Sequence, residues 1–302
     1  MPRQAENPTA LLRSDSKPWD EKSVPLHERG VSLAWLTELA QSVTRHLNSA
    51  HYEAAAAAAN YDDWEQYERR TAWVMPADRP PSVPPTRPWV PPLVAFTTRD
   101  FVEKWLKPVT AEVGGPLYAL VPDHARGRPG RFISHSWNSP IYLEELSHRP
   151  FGMLNALYPE GFSGVKEEFI WMDICCYNQH GSIDVAPDMY SVIGAIRAIA
   201  FPITMEPIFN RTWCLWELLC AAKNDVDMKF CVYPGYATDI RVVVRTFKEA
   251  FTSVQEAGAT KESDRTSILN EILRHFGSFD EADAYIKALL EDKLSSRWFR
   301  IH

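Results

Sequence analysis

Trp213 and Glu217 are the residues whose types and spacing suggest chemistry. They lie in Asn210-Arg211-Thr212-Trp213-Cys214-Leu215-Trp216-Glu217-Leu218-Leu219-Cys220-Ala221-Ala222, which reads as the opening of a helix. A separation of i, i+4 puts an indole and a carboxylate on one face, a turn apart. An aromatic plate beside one acid suits a ligand with a flat base and a sugar. The plate stacks on the base, while the acid accepts sugar hydroxyls and stabilises positive charge growing on the ring. The competing reading is a half-buried helix with Trp213 in the core and Glu217 in solvent, since most such spacings serve packing.

Composition bounds the function classes. The chain has 302 residues, 45% hydrophobic, with 39 acidic and 32 basic side chains and a net charge of -7. That length suffices for one large domain, or for one domain with an extension. With no basic run, a nucleic-acid backbone is not expected as partner. The first residues lack the apolar segment of a signal peptide, and no stretch approaches the roughly 18 apolar residues of a membrane span. Five cysteines, at 175, 176, 214, 220 and 231, fall in apolar segments and read as reduced thiols. The pair Cys175-Cys176 has no second pair at zinc-ligand spacing, so no metal site is expected. The expectation is a cytoplasmic protein with no membrane partner.

The elements that must position these residues follow from periodicity. Residues 1–30 are polar; Leu33, Leu36, Leu39 and Val43 recur at helical spacing, and Tyr52, Tyr61, Trp64 and Tyr67 add an aromatic face. Eight prolines crowd residues 76–92 and enforce extended chain, marking a boundary. The N-terminal helical and Pro-rich extension is therefore 1–93, and an α/β domain covers 94–302. In that domain Thr98–Leu106 reads as a helix ended by Pro108, and Leu117–Val121 as a short strand. Arg131–Trp137 is a strand running into a loop. Tyr142–Leu157 is helical, and Glu168–Ile174 is a buried strand ending in Asp173. Asp188–Ala198 is helical, Ile199–Met205 a strand, and Met228–Tyr233 another. Helices follow at Val242–Phe251, Ser263–Phe276 and Ser278–Lys293, the last opened by a capping box. Strands separated by helices imply a doubly wound parallel sheet, whose ligands sit at the carboxyl ends of the strands.

Three segments stand together: Phe132-Ile133-Ser134-His135-Ser136-Trp137, Trp171-Met172-Asp173-Ile174-Cys175-Cys176-Tyr177-Asn178-Gln179-His180, and Arg211-Thr212-Trp213-Cys214-Leu215-Trp216-Glu217-Leu218. Together they resemble a TIR-type domain, closest to a divergent microbial and algal TIR-like group. The resemblance covers about residues 94–301 and implies a TIR or flavodoxin-like sheet. It also implies an NAD glycohydrolase (NADase), a hydrolase that can cyclise or exchange bases, with Glu217 as the essential glutamate. Trp213, His135, Ser136, Trp137, Asp173, Asn178 and Gln179 match substrate-lining positions, and His180 lies in the same loop. NAD would be the substrate, with no resident cofactor, and the family also allows self-association. Two departures are Trp137-Asn138-Ser139-Pro140, where Ser-x-x-Asp is common, and the Cys-Cys-Tyr-Asn-Gln-His loop. They leave related adenine or nicotinamide nucleotides open. Two other readings remain: a non-catalytic interaction module, and a nucleoside-processing biosynthetic enzyme on the same fold.

Overall fold

The structure, a computed structural model, describes residues 7–13, 18–58, 97–139, 168–180, 186–203, 210–232, 251–259 and 261–295. The strands are β1 (Gly30–Ser32), β2 (Arg126–Gly127), β3 (Arg131–Ile133), β4 (Phe169–Trp171), β5 (Ala198–Ile203) and β6 (Asp227–Val232). They form one sheet in the order β2-β1-β4-β3-β5-β6. β4, β3, β5 and β6 run parallel, with Arg131 opposite both Ile170 and Ala198. β1 lies antiparallel between β2 and β4, so the expected all-parallel sheet is a mixed one within an α/β fold. Only three residues long, β1 carries no periodic signal, which is why a parallel sheet was the simpler expectation.

Helix α1 (Leu33–Ala58) follows β1 directly. Leu33, Leu36, Leu39 and Val43, the positions marked by the apolar spacing, are fully buried in the main core. The segment before β1 is tied down by Arg29, whose side chain is 2% exposed. Its guanidinium donates to the carbonyls of Val24, Glu21 and Cys176 and pairs with Glu21 at 2.5 Å. A buried guanidinium needs this full set of acceptors. Trp171 of β4 stacks on Phe132 of β3, centroids 4.7 Å apart, and donates to the Leu26 carbonyl.

Helix α2 begins at Thr98–Phe101, passes through a π-helical turn at Val102–Leu106 and ends at Lys107–Thr110. Thr97 and Asp100 cap it reciprocally. Pro108, expected to stop the helix, does not: the π turn resets the hydrogen bonding, so the proline falls in the first turn of the final stretch, where its missing N–H is tolerated. Leu117–Val121 is no strand either. Between Pro116 and Pro122 the chain winds one 3₁₀ turn, Leu117–Leu120, and buries Leu117, Tyr118 and Leu120. Flanking prolines cannot donate to a sheet ladder, which favours the turn.

Helices α3 (Asp173–Cys176), α4 (Ala186–Gly194), α5 (Thr212–Lys223), α6 (Glu262–Phe276) and α7 (Phe279–Ser295) complete the described elements. α5 is buried on all sides from Cys214 to Ala221, which explains its lack of amphipathicity. α4 and α6 pack against it. His275 of α6 stacks on Tyr190 of α4 at 4.3 Å and lies 5.4 Å from the Trp216 ring. Gly277 ends α6 with φ 81°, the left-handed turn that suits glycine, and Ser278 caps α7 by accepting from the Glu281 amide. The expected helix at 142–157, the proline-rich 76–92 and all of the expected helix 242–251 except Phe251, which is not helical, lie outside the described residues.

Candidate functional site

β3 ends at Ile133, and the polar run Ser134–Trp137 leaves the sheet at its carboxyl edge. The Ser134 amide still donates to Ala200 of β5, so Ser134 is held in sheet geometry and is fully buried. α5 approaches the same edge. Its start is fixed by Thr212, whose amide and hydroxyl donate to the carbonyls of Gly258 and Ala257. One turn in, Glu217 is 8% exposed and accepts a 2.5 Å hydrogen bond from the Ser134 hydroxyl on Oε2. The solvated carboxylate of the packing alternative is thus not what the chain builds.

Burial pushes the Glu217 carboxyl up to about 8. The Ser134 hydroxyl and Arg211 pull it down, and Asp173 pushes it further up. At neutral pH the group is mainly a neutral acid in a low-dielectric setting, where an arriving charge is felt strongly. Cys214, three residues before it, points its thiol at the His135 carbonyl, 3.5 Å away. Burial raises the thiols of Cys175, Cys176, Cys214 and Cys220, so none is a ready nucleophile.

The His135 side chain is only 3% exposed, and its Nε2 lies 3.5 Å from Asp173 Oδ1. Asp173, expected at a strand end, is the first residue of α3. Its carboxylate accepts the Trp137 indole N–H at 2.8 Å and its neighbour's amide, Ile174 N, at 2.6 Å. The arginine of α2 at position 99 sits over the Trp137 ring, 5.9 Å from its centroid. Ser136 accepts from the Asn138 amide, and the backbone of Trp137 and Ser139 is bonded to the start of α2.

Thus His135 and Trp137 both meet Asp173 where β3 and β4 end, while Glu217 is bonded to Ser134, the chain neighbour of His135. The other expected residues are engaged elsewhere. The Trp213 indole points at Asp264 of α6, 3.4 Å away. Asn178 donates to the Gly114 carbonyl, Gln179 to the Asp173 carbonyl, and His180 bonds the Thr110 hydroxyl at 2.8 Å. Ser136 shapes a turn. Sequence reasoning quoted Ser134, Cys214 and Arg211 but assigned them no role. A hydroxyl immediately after a buried strand was the available signal for Ser134. Its pairing with Glu217, 83 residues away, carried none.

Among the described residues no three His, Cys, Asp or Glu side chains are grouped to hold a metal ion. No described helix is long and apolar enough to cross a membrane. Compared with known proteins, the chain matches no family model, no curated protein and no solved structure.

Proposed function

We propose that this chain is a TIR-like enzyme that cleaves the N-glycosidic bond between a cationic base and ribose in NAD or a related nucleotide. The observation that carries the reading is the Glu217 carboxyl, buried at the carboxyl edge of parallel strands and fixed by Ser134. A pyridinium leaving group needs no proton, because it departs with the C1′–N electron pair and becomes neutral. What the reaction needs is an anion beside the oxocarbenium-like ribose. Glu217 supplies it once ionised, and a cationic ring arriving in that setting favours ionisation. Water adds to C1′ and loses a proton, giving nicotinamide, ADP-ribose and H⁺. A ribose-borne or external nucleophile in place of water gives cyclisation or base exchange. The Trp137 ring, fixed by Asp173, offers an aromatic wall for a base. NAD enters as substrate, and no resident cofactor is invoked.

The test is incubation of the pure protein with NAD and separation of products. Release of nicotinamide by the wild type, lost in Glu217→Gln, supports the reading. No release by the wild type under any pH between 6 and 9 overturns it.

A non-catalytic interaction module is favoured by one observation. Glu217 is nearly sealed and already hydrogen-bonded, as a structural acid would be. On that reading, concentration-dependent self-association would accompany the absence of turnover.

A further inference from the structure

α3 is a single turn, Asp173–Cys176, and one turn of helix does not hold itself in place. Its hold comes from another part of the chain. The carbonyl of Cys176 accepts from Arg29 Nη1 at 3.2 Å, and the Cys176 thiol donates back to the Arg29 carbonyl at 2.7 Å. Residues 29 and 176 are thus bonded in both directions, and both are buried. The turn carries that hold to its first residue, because the Asp173 carbonyl accepts from the Tyr177 amide at 2.9 Å and from the Gln179 side chain at 3.0 Å. The Asp173 carboxylate in turn accepts from the Trp137 indole.

A second route joins the same two segments. Asn178, two residues past α3, donates to the Gly114 carbonyl. Next to Gly114, the Val113 carbonyl accepts from the Trp19 amide at 2.9 Å. A Cβ on Gly115 would meet the Trp19 side chain at 2.5 Å, so the two segments approach closely there. Trp19 and Arg29 act together, with the guanidinium 5.1 Å from the centre of the Trp19 ring. Both routes from residues 173–178 therefore end in residues 19–29.

We propose that Arg29 and Cys176 are positioning residues, whose two-way bond makes residues 19–29 a brace that sets Asp173 and, through it, the Trp137 wall offered to the base of the ligand. The role of that wall rests on the nucleotide-cleaving reading above. Glu217 is bonded to Ser134 and not to α3, so the brace acts on binding more than on the step at the ribose. A wall that grips the base equally in ground state and transition state governs KM and leaves kcat alone.

The test compares Cys176→Ala, Cys176→Ser and Cys175→Ala in the full chain. Arg29 stays in place, since its removal would orphan the carbonyls of Val24, Glu21 and Cys176. Cys176→Ala deletes the returning donor, Cys176→Ser restores one, and Cys175→Ala removes an equally buried sulfur one residue away. The readouts are the Trp137 indole N–H signal in ¹⁵N NMR, identified by its loss in Trp137→Phe, and KM and kcat for nicotinamide release from NAD. Cys176→Ala should move the indole signal and raise KM about tenfold or more at little-changed kcat, inside the roughly hundredfold that a misplacement of about 1 Å can cost. Cys176→Ser should return both toward the wild type, and Cys175→Ala should move neither. A mere loss of stability would instead lower the active fraction, and with it kcat, at unchanged KM. Where Cys176→Ala does not fold, Glu21→Gln, at a side chain 41% exposed, weakens the pairing of the same guanidinium and should move the indole signal. An indole signal that stays put in these variants, or that moves as far in Cys175→Ala, overturns the inference, and NAD cleavage stands if nicotinamide is still released. An unmoved KM with NAD cleaved overturns it as well. A moved indole signal in a protein whose wild type releases no nicotinamide keeps the brace and overturns the cleavage reading.

Discussion

Glu217 combines two demands that oppose each other: burial, which favours its neutral form, and chemistry, which needs the anion. The pH dependence follows. The folded carboxyl titrates near 8 against an ordinary value of 4.5. On the proposed mechanism kcat/KM rises with pH and levels off above about 8, because only the ionised form stabilises the ribose cation. A profile flat from pH 6 to 9 would contradict this. Stability runs the other way. Between 4.5 and 8 the folded chain keeps a proton that the unfolded chain has released, so this group's contribution falls as pH rises through that window. Glu217→Gln, which mimics the neutral acid, should remove that slope from the thermal midpoint while lowering turnover roughly 100-fold or more. Ser134→Ala deletes the bond that favours the anion, so the activity limb should move to higher pH. An unmoved limb would show that Ser134 only fills space.

At the scale of elements, β1 depends on a close approach. A Cβ on Gly30 would collide with the Gly127 carbonyl and meet the Pro129 nitrogen at 2.7 Å. Both are backbone and cannot swing aside. Gly30→Ala should therefore destabilise by about 1–3 kcal/mol, as overpacking does, seen as a lower urea midpoint with an unchanged slope. What was legible in the sequence follows the same logic of signal length. α5, α6 and α7 span three turns or more, and α1 announced its buried face through Leu33, Leu36, Leu39 and Val43. The parallel strands were found near their observed places because β4 and β5 are continuous apolar runs, and β3 and β6 carry the apolar Phe132-Ile133 and Met228, Phe230 to Val232. β1 was not found, since three residues support no period. Pro108 misled because its effect depends on a π turn set by neighbouring packing, and Leu117–Leu120 because an apolar run between prolines has two solutions. At the site, the nearness of His135, Trp137 and Asp173 was legible from motif order, although Asp173 opens α3 and does not end a strand. The bonds of Ser134 to Glu217 and of Trp213 to Asp264 were not, because they join residues 83 and 51 positions apart.

At the scale of the whole molecule, the N-terminal part of the chain cannot be treated as a passenger. β1 fills the space between β2 and β4, and without it the Ile170 edge of β4 loses its antiparallel partner. α1 places Leu33, Trp35, Leu36, Leu39, Ala40 and Val43 in the same core as Phe132, Ile170 and Trp171. Each large buried side chain of this kind is worth about 1.5–3 kcal/mol of transfer free energy, so losing several is comparable to the roughly 5–15 kcal/mol that stabilises a domain. Arg29 adds a second dependence, because removing it would strip α3 of the guanidinium bonded to the Cys176 carbonyl, at the other end of the helix that Asp173 opens. A chain truncated to residues 94–302 should therefore fail to form a cooperatively folded body. Near-ultraviolet circular dichroism and a urea titration of that fragment would check it. A sharp unfolding transition with native-like aromatic signal would show that β1 and α1 are dispensable to the sheet that carries Glu217.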